Sequence, residues 1–177
     1  PLAARNPEGV LYMGSFSKVL APGLRLGFVV APKSVYGKLV QAKQAADLHT
    51  PSFNQRVVAE VMKDGFLARH IPTIRTLYKN QRDAMLAALD QEMVGLGVSW
   101  TRPVGGMFLW VQLPEGMDAQ KLLPLAVERG MAFVPGAPFF PGNPQHNCLR
   151  LSYVTVPPAQ IAQGIAALAA AIKAYAQ

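Results

Sequence analysis

The sequence predicts an α/β fold in two parts: a strand-and-helix segment, followed by a small α+β domain. Two observations predict this fold class. Short apolar runs bounded by glycine, typical of buried strands, alternate with longer stretches of helical periodicity. The apolar content of 51% is enough to bury a core in one to two compact units. We expect the first part to span residues 1–69 and the second, with its connecting helix, residues 70–177.

The first half predicts two strands and three helices. Residues 9–16 and 26–31 form apolar runs that suit buried strands, with a Pro- and Gly-containing loop between them. Ser52 can act as the N-cap of the second helix, and Gly65 as its stop. Pro72 would fall in the first turn of the third helix, where its missing N–H does little harm. The predicted helices are 33–47, 52–64 and 70–93.

The second half predicts short strands that alternate with helices. Pro103 and the Gly105-Gly106 pair join two of the strands through a hairpin-like connection. Gly130 ends one helix, and Pro157-Pro158 opens a final Ala-rich helix. The predicted strands are 98–101, 107–113, 131–134 and 149–154, and the predicted helices are 119–129 and 158 to about 175.

The positive charge is concentrated in the first half of the chain. Residues 1–82 carry twelve Lys and Arg against four Asp and Glu, whereas residues 83–177 carry five against six, which together give the net charge of +7. The basic residues are scattered through helical stretches and form no Lys/Arg-rich block. We therefore expect an anionic ligand or an acidic partner segment, and no nucleic-acid binding through this chain.

The sequence contains no segment typical of a membrane protein or a metal site. No run approaches the roughly 18 consecutive apolar residues that a membrane-spanning helix needs, and the first residues lack the apolar stretch of a signal peptide. The single cysteine, Cys148, cannot form an internal disulfide and has no Cys or His at metal-ligand spacing. We expect a soluble, cytoplasmic protein without a metal.

The segment from Ser15 to Gly27 carries the clearest chemistry. Ser15, Ser17 and Lys18 place two hydroxyls and an amine at the end of a strand, and Arg25 follows seven residues after the lysine. Hydroxyls, turn N–H groups and a forked guanidinium are the donors that a phosphate monoester needs, and an amine beside them can form a Schiff base with an aldehyde. By spacing alone, a surface lysine near two serines in a turn fits equally well.

Ser15-Phe16-Ser17-Lys18 with Pro22-Gly23-Leu24-Arg25-Leu26-Gly27 resembles the cofactor-lysine segment of fold-type I, class I/II pyridoxal-phosphate-dependent aminotransferases. The resemblance extends over the chain through Arg75–Tyr78, Gly105–Phe108 and Leu149–Ser152, and is strongest to the branch of 2-aminoadipate and kynurenine aminotransferases. It implies that the chain is the C-terminal part of such a protein: the remainder of the large cofactor domain plus the small domain.

The resemblance also implies roles for individual residues. Lys18 would hold pyridoxal 5'-phosphate as a Schiff base and move a proton during catalysis, while Ser15, Ser17 and Arg25 would hold the cofactor phosphate. Arg150 would bind the α-carboxylate of the substrate, because its fork matches that planar group; a strand-edge arginine with a solvated head is the alternative. The implied activity of the full-length homodimer is amino-group transfer between an α-amino acid and a 2-oxo acid.

Other functions remain open at this point. The family also needs an acidic partner for the pyridine nitrogen, an aromatic residue stacked on the ring and a glycine-containing phosphate turn, all upstream of the lysine. We therefore expect the chain to be truncated relative to the family and inactive alone. The aminotransferase-like effector domain of a winged-helix DNA-binding regulator carries similar cofactor residues, and a folded remnant without chemistry is a third possibility.

Overall fold

The computed structural model describes residues 2–175. The chain divides between Ile74 and Arg75, within a long helix, into two compact units. Each unit has its own helices and its own antiparallel sheet. The mixed helix-and-sheet composition agrees with the predicted α/β class.

The first unit contains a hairpin followed by helices. Its elements are α1 Leu2–Arg5, β1 Tyr12–Ser15, β2 Gly27–Val30, α2 Lys33–Asp47, α3 Ser52–Val61 and the beginning of α4 Phe66–Glu92, with 3-10 turns at Pro22–Leu24 and Lys63–Gly65. The predicted helix over residues 33–47 is confirmed to the residue. Its start follows Pro32 at the N-cap position (φ −56°, ψ 146°), where the proline has no N–H to continue a strand ladder.

β1 and β2 pair with each other in antiparallel register, which aligns Ser15 with Gly27. The Phe28 ring lies directly over Gly14, where an added Cβ would clash with the ring. The prediction that these strands are buried is wrong for this chain, since Met13 is 73% and Val30 is 60% exposed. In the described residues the two strands pair only with each other, so no further strand covers their edges.

The boundary between α3 and α4 differs from the prediction. Pro51, not Ser52, occupies the N-cap position of α3, and no side chain makes a capping hydrogen bond there. α3 ends earlier than predicted because Asp64 and Gly65 both adopt a left-handed conformation, with φ of 54° and 70°, which redirects the chain. α4 therefore begins at Phe66, and Pro72 lies inside it rather than in its first turn.

The second unit contains the rest of α4 and a four-stranded antiparallel sheet in the order β3-β4-β6-β5. The predicted hairpin connection between the first two strands is confirmed, whereas the strand expected over 131–134 is reduced to two residues. The elements are β3 Ser99–Trp100, β4 Phe108–Gln112, α5 Ala119–Val127, β5 Val134–Pro135, β6 Cys148–Ser152 and α6 Pro158–Tyr175, with a 3-10 turn at Ala137–Phe139.

The core of the second unit lies between one face of this sheet and the helices. Alternate residues of β4 and β6, such as Leu109 and Leu149, are fully buried against α4, α5 and α6. Because successive strand residues point to opposite faces, Phe108, Trp110 and Arg150 lie on the face away from these helices. This face therefore carries Arg150, the residue predicted to bind the substrate carboxylate. No helix within residues 2–175 combines the length and apolarity needed to cross a membrane.

Candidate functional site

The β1–β2 hairpin brings the predicted cofactor residues of the first unit to one end of the sheet. Ser15 ends β1 and is aligned with Gly27, the first residue of β2. The loop between them therefore leaves and re-enters the hairpin at the same end, and it contains Ser17, Lys18 and Arg25. The segment that begins at Ser15 and the segment that ends at Gly27 are separate in sequence, and the hairpin places them side by side.

Backbone hydrogen bonds give this loop a defined shape. The N–H groups of Leu20 and Ala21 donate to the carbonyl of Phe16 at 2.9 and 3.1 Å, which closes a turn around Lys18. The Phe16 N–H donates to the Leu26 carbonyl at 3.1 Å and continues the hairpin ladder one step beyond the strands. Arg25 adopts a left-handed conformation with φ of 53°, which turns the chain from the Pro22–Leu24 turn into β2.

The functional groups of the loop are available to a ligand. Lys18 is exposed, and its amine makes no hydrogen bond or ion pair with the described residues. The Ser17 N–H donates to the Ser15 hydroxyl oxygen at 3.2 Å, which leaves the Ser15 O–H free to donate. One nitrogen of Arg25 donates to the Pro22 carbonyl at 3.4 Å, and its other N–H groups remain free for an anion. This donor set fits a phosphate monoester with an aldehyde, the chemistry of pyridoxal phosphate.

Asn54 supports the loop from α3. Its side-chain amide donates to the carbonyl of Leu24 at 3.1 Å across thirty residues of sequence, immediately before Arg25. The sequence alone did not reveal this contact, because a polar residue in the first turn of a helix is usually explained by the helix start itself. The bond ties the conformation of Arg25 to α3.

Arg150 belongs to the second unit and lies between two neighbouring strands. It is aligned with Trp110 on β4 and with Val134 on β5. The side chain is half-buried, and in the part of the chain that the structure describes its guanidinium has no ion pair and no hydrogen bond. Its neighbours are aromatic rings: its Cζ lies 4.0 Å from the centre of the Phe108 ring and 4.9 Å from that of Phe139. Such an arginine can still donate its N–H groups to a carboxylate.

The loop with Gly105 and Gly106 is attached to the second unit at both ends. The Arg82 guanidinium of α4 donates to the Pro103 carbonyl at 3.3 Å, and the Tyr153 N–H donates to the Met107 carbonyl at 3.3 Å. Gly106 has φ of 89°, a conformation that other residues rarely adopt. Burial raises the pKa of the Tyr153 phenol above its ordinary value, although the nearby Arg82 opposes the shift.

No cluster of three or more His, Cys, Asp or Glu side chains within residues 2–175 could hold a metal ion. The thiol of the buried Cys148 makes a long contact to the Gln145 amide oxygen, at 3.5 Å. The groups suited to a ligand are therefore the amine and phosphate donors of the first unit and the guanidinium of the second.

The sequence profile of aminotransferases of class I and II matches residues 1–168. A curated relative, the 2-aminoadipate transaminase of Thermus thermophilus, is 52% identical over 165 residues, 93% of this chain and 41% of that protein. The solved structure of LysN, the alpha-aminoadipate aminotransferase of Thermus thermophilus complexed with N-(5'-phosphopyridoxyl)-L-leucine, has a TM-score of 0.91 and 49% identity, and covers 98% of this chain and 44% of that chain. The chain thus spans about two fifths of the length of these relatives.

A relative of another class also matches. The HTH-type transcriptional regulator YdfD of Bacillus subtilis is 32% identical over 177 residues, 99% of this chain and 36% of that protein. Its identity is lower than the 52% of the 2-aminoadipate transaminase. The family and branch inferred from the lysine segment are confirmed, since the relatives include both aminoadipate and kynurenine aminotransferases. With a profile match over nearly its whole length and a solved relative of the same fold, the chain belongs to the aminotransferase class I and II family.

Proposed function

We propose that the full-length protein is a pyridoxal-phosphate-dependent aminotransferase that moves an amino group between an α-amino acid and a 2-oxo acid. The observation that carries the proposal is the gathering of Ser15, Ser17, Lys18 and Arg25 at one end of the β1–β2 hairpin. It occurs in a chain half identical to an aminotransferase whose structure holds a phosphopyridoxyl amino acid. The proposed homodimer and cytoplasmic location follow the usual form of such enzymes.

Within this proposal, the first unit is the end of the large cofactor domain. The Lys18 amine would hold the cofactor covalently and, once the substrate has displaced it, would take the proton from the substrate α-carbon and deliver it to the cofactor carbon. The Ser15 and Ser17 hydroxyls and the Arg25 guanidinium donate to the phosphate and so fix the cofactor beside the amine. When bound, pyridoxal phosphate supplies the electron sink that this proton transfer needs. Asn54 keeps Arg25 in place through the Leu24 carbonyl.

The second unit supplies the substrate anchor. Arg150 binds the α-carboxylate that every α-amino acid and 2-oxo acid shares, so it serves both halves of the reaction. It makes no ion pair with the residues described, so none of their carboxylates occupies the N–H groups that the substrate would need. The names of the aminoadipate relatives make L-2-aminoadipate the first amino donor to test.

The test uses the full-length protein loaded with pyridoxal phosphate. We expect L-glutamate to form from L-2-aminoadipate and 2-oxoglutarate, and the Lys18→Ala variant to form none. A full-length protein that binds the cofactor but transfers no amino group from any of the common α-amino acids would contradict the proposal.

An effector domain of a DNA-binding regulator is the second candidate, favoured by the match to the HTH-type regulator. Sequence-independent DNA binding by such a protein weakens steeply as salt rises, because counterions are released from phosphates. Duplex DNA binding by the full-length protein at low salt, without measurable amino transfer, would favour the regulator. Amino transfer without DNA binding would favour the enzyme.

A further inference from the structure

We propose that Phe108 and Phe139 form an aromatic clamp that holds the Arg150 guanidinium ready for a substrate carboxylate. Both phenylalanines would be positioning residues, since they act through Arg150. The inference rests on the proposed function, which assigns the carboxylate to Arg150.

The clamp is formed by two elements that are distant in sequence. Phe108 is the first residue of β4, and Phe139 ends the 3-10 turn that follows β5. Phe108 lies on the same sheet face as Arg150, diagonally across the β4–β6 pairing, where Trp110 is the direct partner. The Arg150 Cζ lies over both rings, at 4.0 Å from one centre and 4.9 Å from the other.

Aromatic rings can orient this arginine without blocking it. A ring face attracts the guanidinium through its quadrupole but accepts few of its in-plane N–H donors. An Asp or Glu in the same place would hold the side chain more strongly, but it would neutralise the charge and occupy the donors. No acidic side chain among the described residues pairs with Arg150. The rings therefore hold the Arg150 guanidinium in place, while its N–H groups stay free to bind a carboxylate.

Tight backbone packing places Phe139. The Gly136 N–H donates to the Cys148 carbonyl at 2.7 Å, and the Phe139 N–H donates to the Gly136 carbonyl at 2.9 Å. A Cβ added at Gly136 would be 2.7 Å from the Cys148 Cβ, so only glycine permits this approach without a shift. The Trp110 ring meets Phe139 edge-on at 5.7 Å and supports it from the side. Phe139 is thus attached to β6 two residues from Arg150.

The test compares variants of the full-length, cofactor-loaded protein. We expect Phe139→Leu to raise the KM for L-2-aminoadipate about three- to tenfold with kcat nearly unchanged, as for lost uniform binding. The dissociation constant of adipate, which lacks the amino group and cannot react, should rise by the same factor. Phe108→Leu should raise the KM and the dissociation constant in the same direction. Phe139→Tyr should keep both near their wild-type values, because tyrosine retains the aromatic ring.

Phe140→Leu is the matched control, since the Phe140 ring contacts Trp110 at 6.1 Å and has no contact with the guanidinium. In an Arg150→Lys background, Phe139→Leu should cause little further loss of adipate affinity. Both substitutions would then weaken the same interaction, that of the Arg150 guanidinium with the carboxylate. Equal effects of Phe139→Leu and Phe140→Leu on adipate binding would refute the clamp. A wild-type protein that binds adipate but transfers no amino group would refute the proposed function instead, while the adipate titration would still measure the clamp.

Discussion

Trp110 and Arg150 are directly paired residues of β4 and β6, and both side chains lie on the sheet face away from the helices. Their neighbours on either side, Leu109 and Val111 on one strand and Leu149 and Leu151 on the other, form the core. Because successive side chains of a strand point to opposite faces, the two faces of this sheet have different roles. One face stabilises the unit, while the other can present a cation to a ligand without exposing the core.

Replacing Lys18 with alanine in the full-length protein should abolish covalent attachment of pyridoxal phosphate and amino transfer. Some non-covalent cofactor binding should remain through Ser15, Ser17 and Arg25, since their donors are unchanged. Borohydride reduction followed by peptide mass spectrometry measures the site of attachment. Lys33→Ala, in the first turn of α2, is a matched control and should retain the label. A label on any other lysine of the wild-type protein would contradict the assignment.

Replacing Arg150 with lysine should weaken amino-acid substrates far more than the cofactor. The loss of a bidentate fork costs on the order of 1.5–3 kcal/mol, or about ten- to a hundredfold in affinity. Steady-state kinetics give the KM for L-2-aminoadipate, and cofactor absorbance after dialysis gives retention. Arg129→Lys, whose guanidinium donates to the Leu125 carbonyl at 2.8 Å, provides a comparison with little expected change in KM. Poor cofactor retention with an unchanged KM would instead place Arg150 at the phosphate.

The 177-residue chain expressed by itself should self-associate and should not hold the cofactor with normal affinity. Met13, Val29 and Val30 expose apolar surface on a sheet whose edges are unpaired in the described residues, and such edges invite pairing with another chain. Light scattering coupled to size-exclusion chromatography measures the mass. Val29→Lys should reduce association, whereas Val94→Lys, at an exposed site of the other unit, should not. A monomeric preparation that transaminates would contradict this prediction.

Tyr153→Phe should make the protein less sensitive to alkaline unfolding. Burial raises the pKa of this phenol in the folded state, whereas the unfolded chain titrates near the usual value of about 10. The neutral phenol thus contributes stability below a pH of about 10, and that stability is lost as pH rises through the folded-state pKa. The urea midpoint should fall less in the variant than in the wild type between a pH of about 8 and a pH of about 10.5. Tyr36→Phe, at an exposed position of α2, is the control; equal falls in Tyr153→Phe and wild type would contradict the prediction.

The sequence by itself determined the elements whose signals are local. The bounds of α2, the Gly105-Gly106 hairpin connection and the opening of α6 at Pro158 follow from periodicity and from residues with restricted or unusual backbone angles. The lysine segment also identified the family without coordinates. These features depend on residues within one or two turns of one another, so a single stretch of sequence contains the necessary information.

The tertiary structure decided what depends on distant parts of the chain. It placed Ser15 beside the residues around Arg25 through strand register, and it brought the Asn54 amide to the Leu24 carbonyl. The exposure of β1 could not be read from its apolar residues, because burial depends on which other strands cover them. The rings around Arg150 come from segments 42 and 11 residues away, Phe108 and Phe139, and only the pairing of β4, β5 and β6 brings them to one guanidinium.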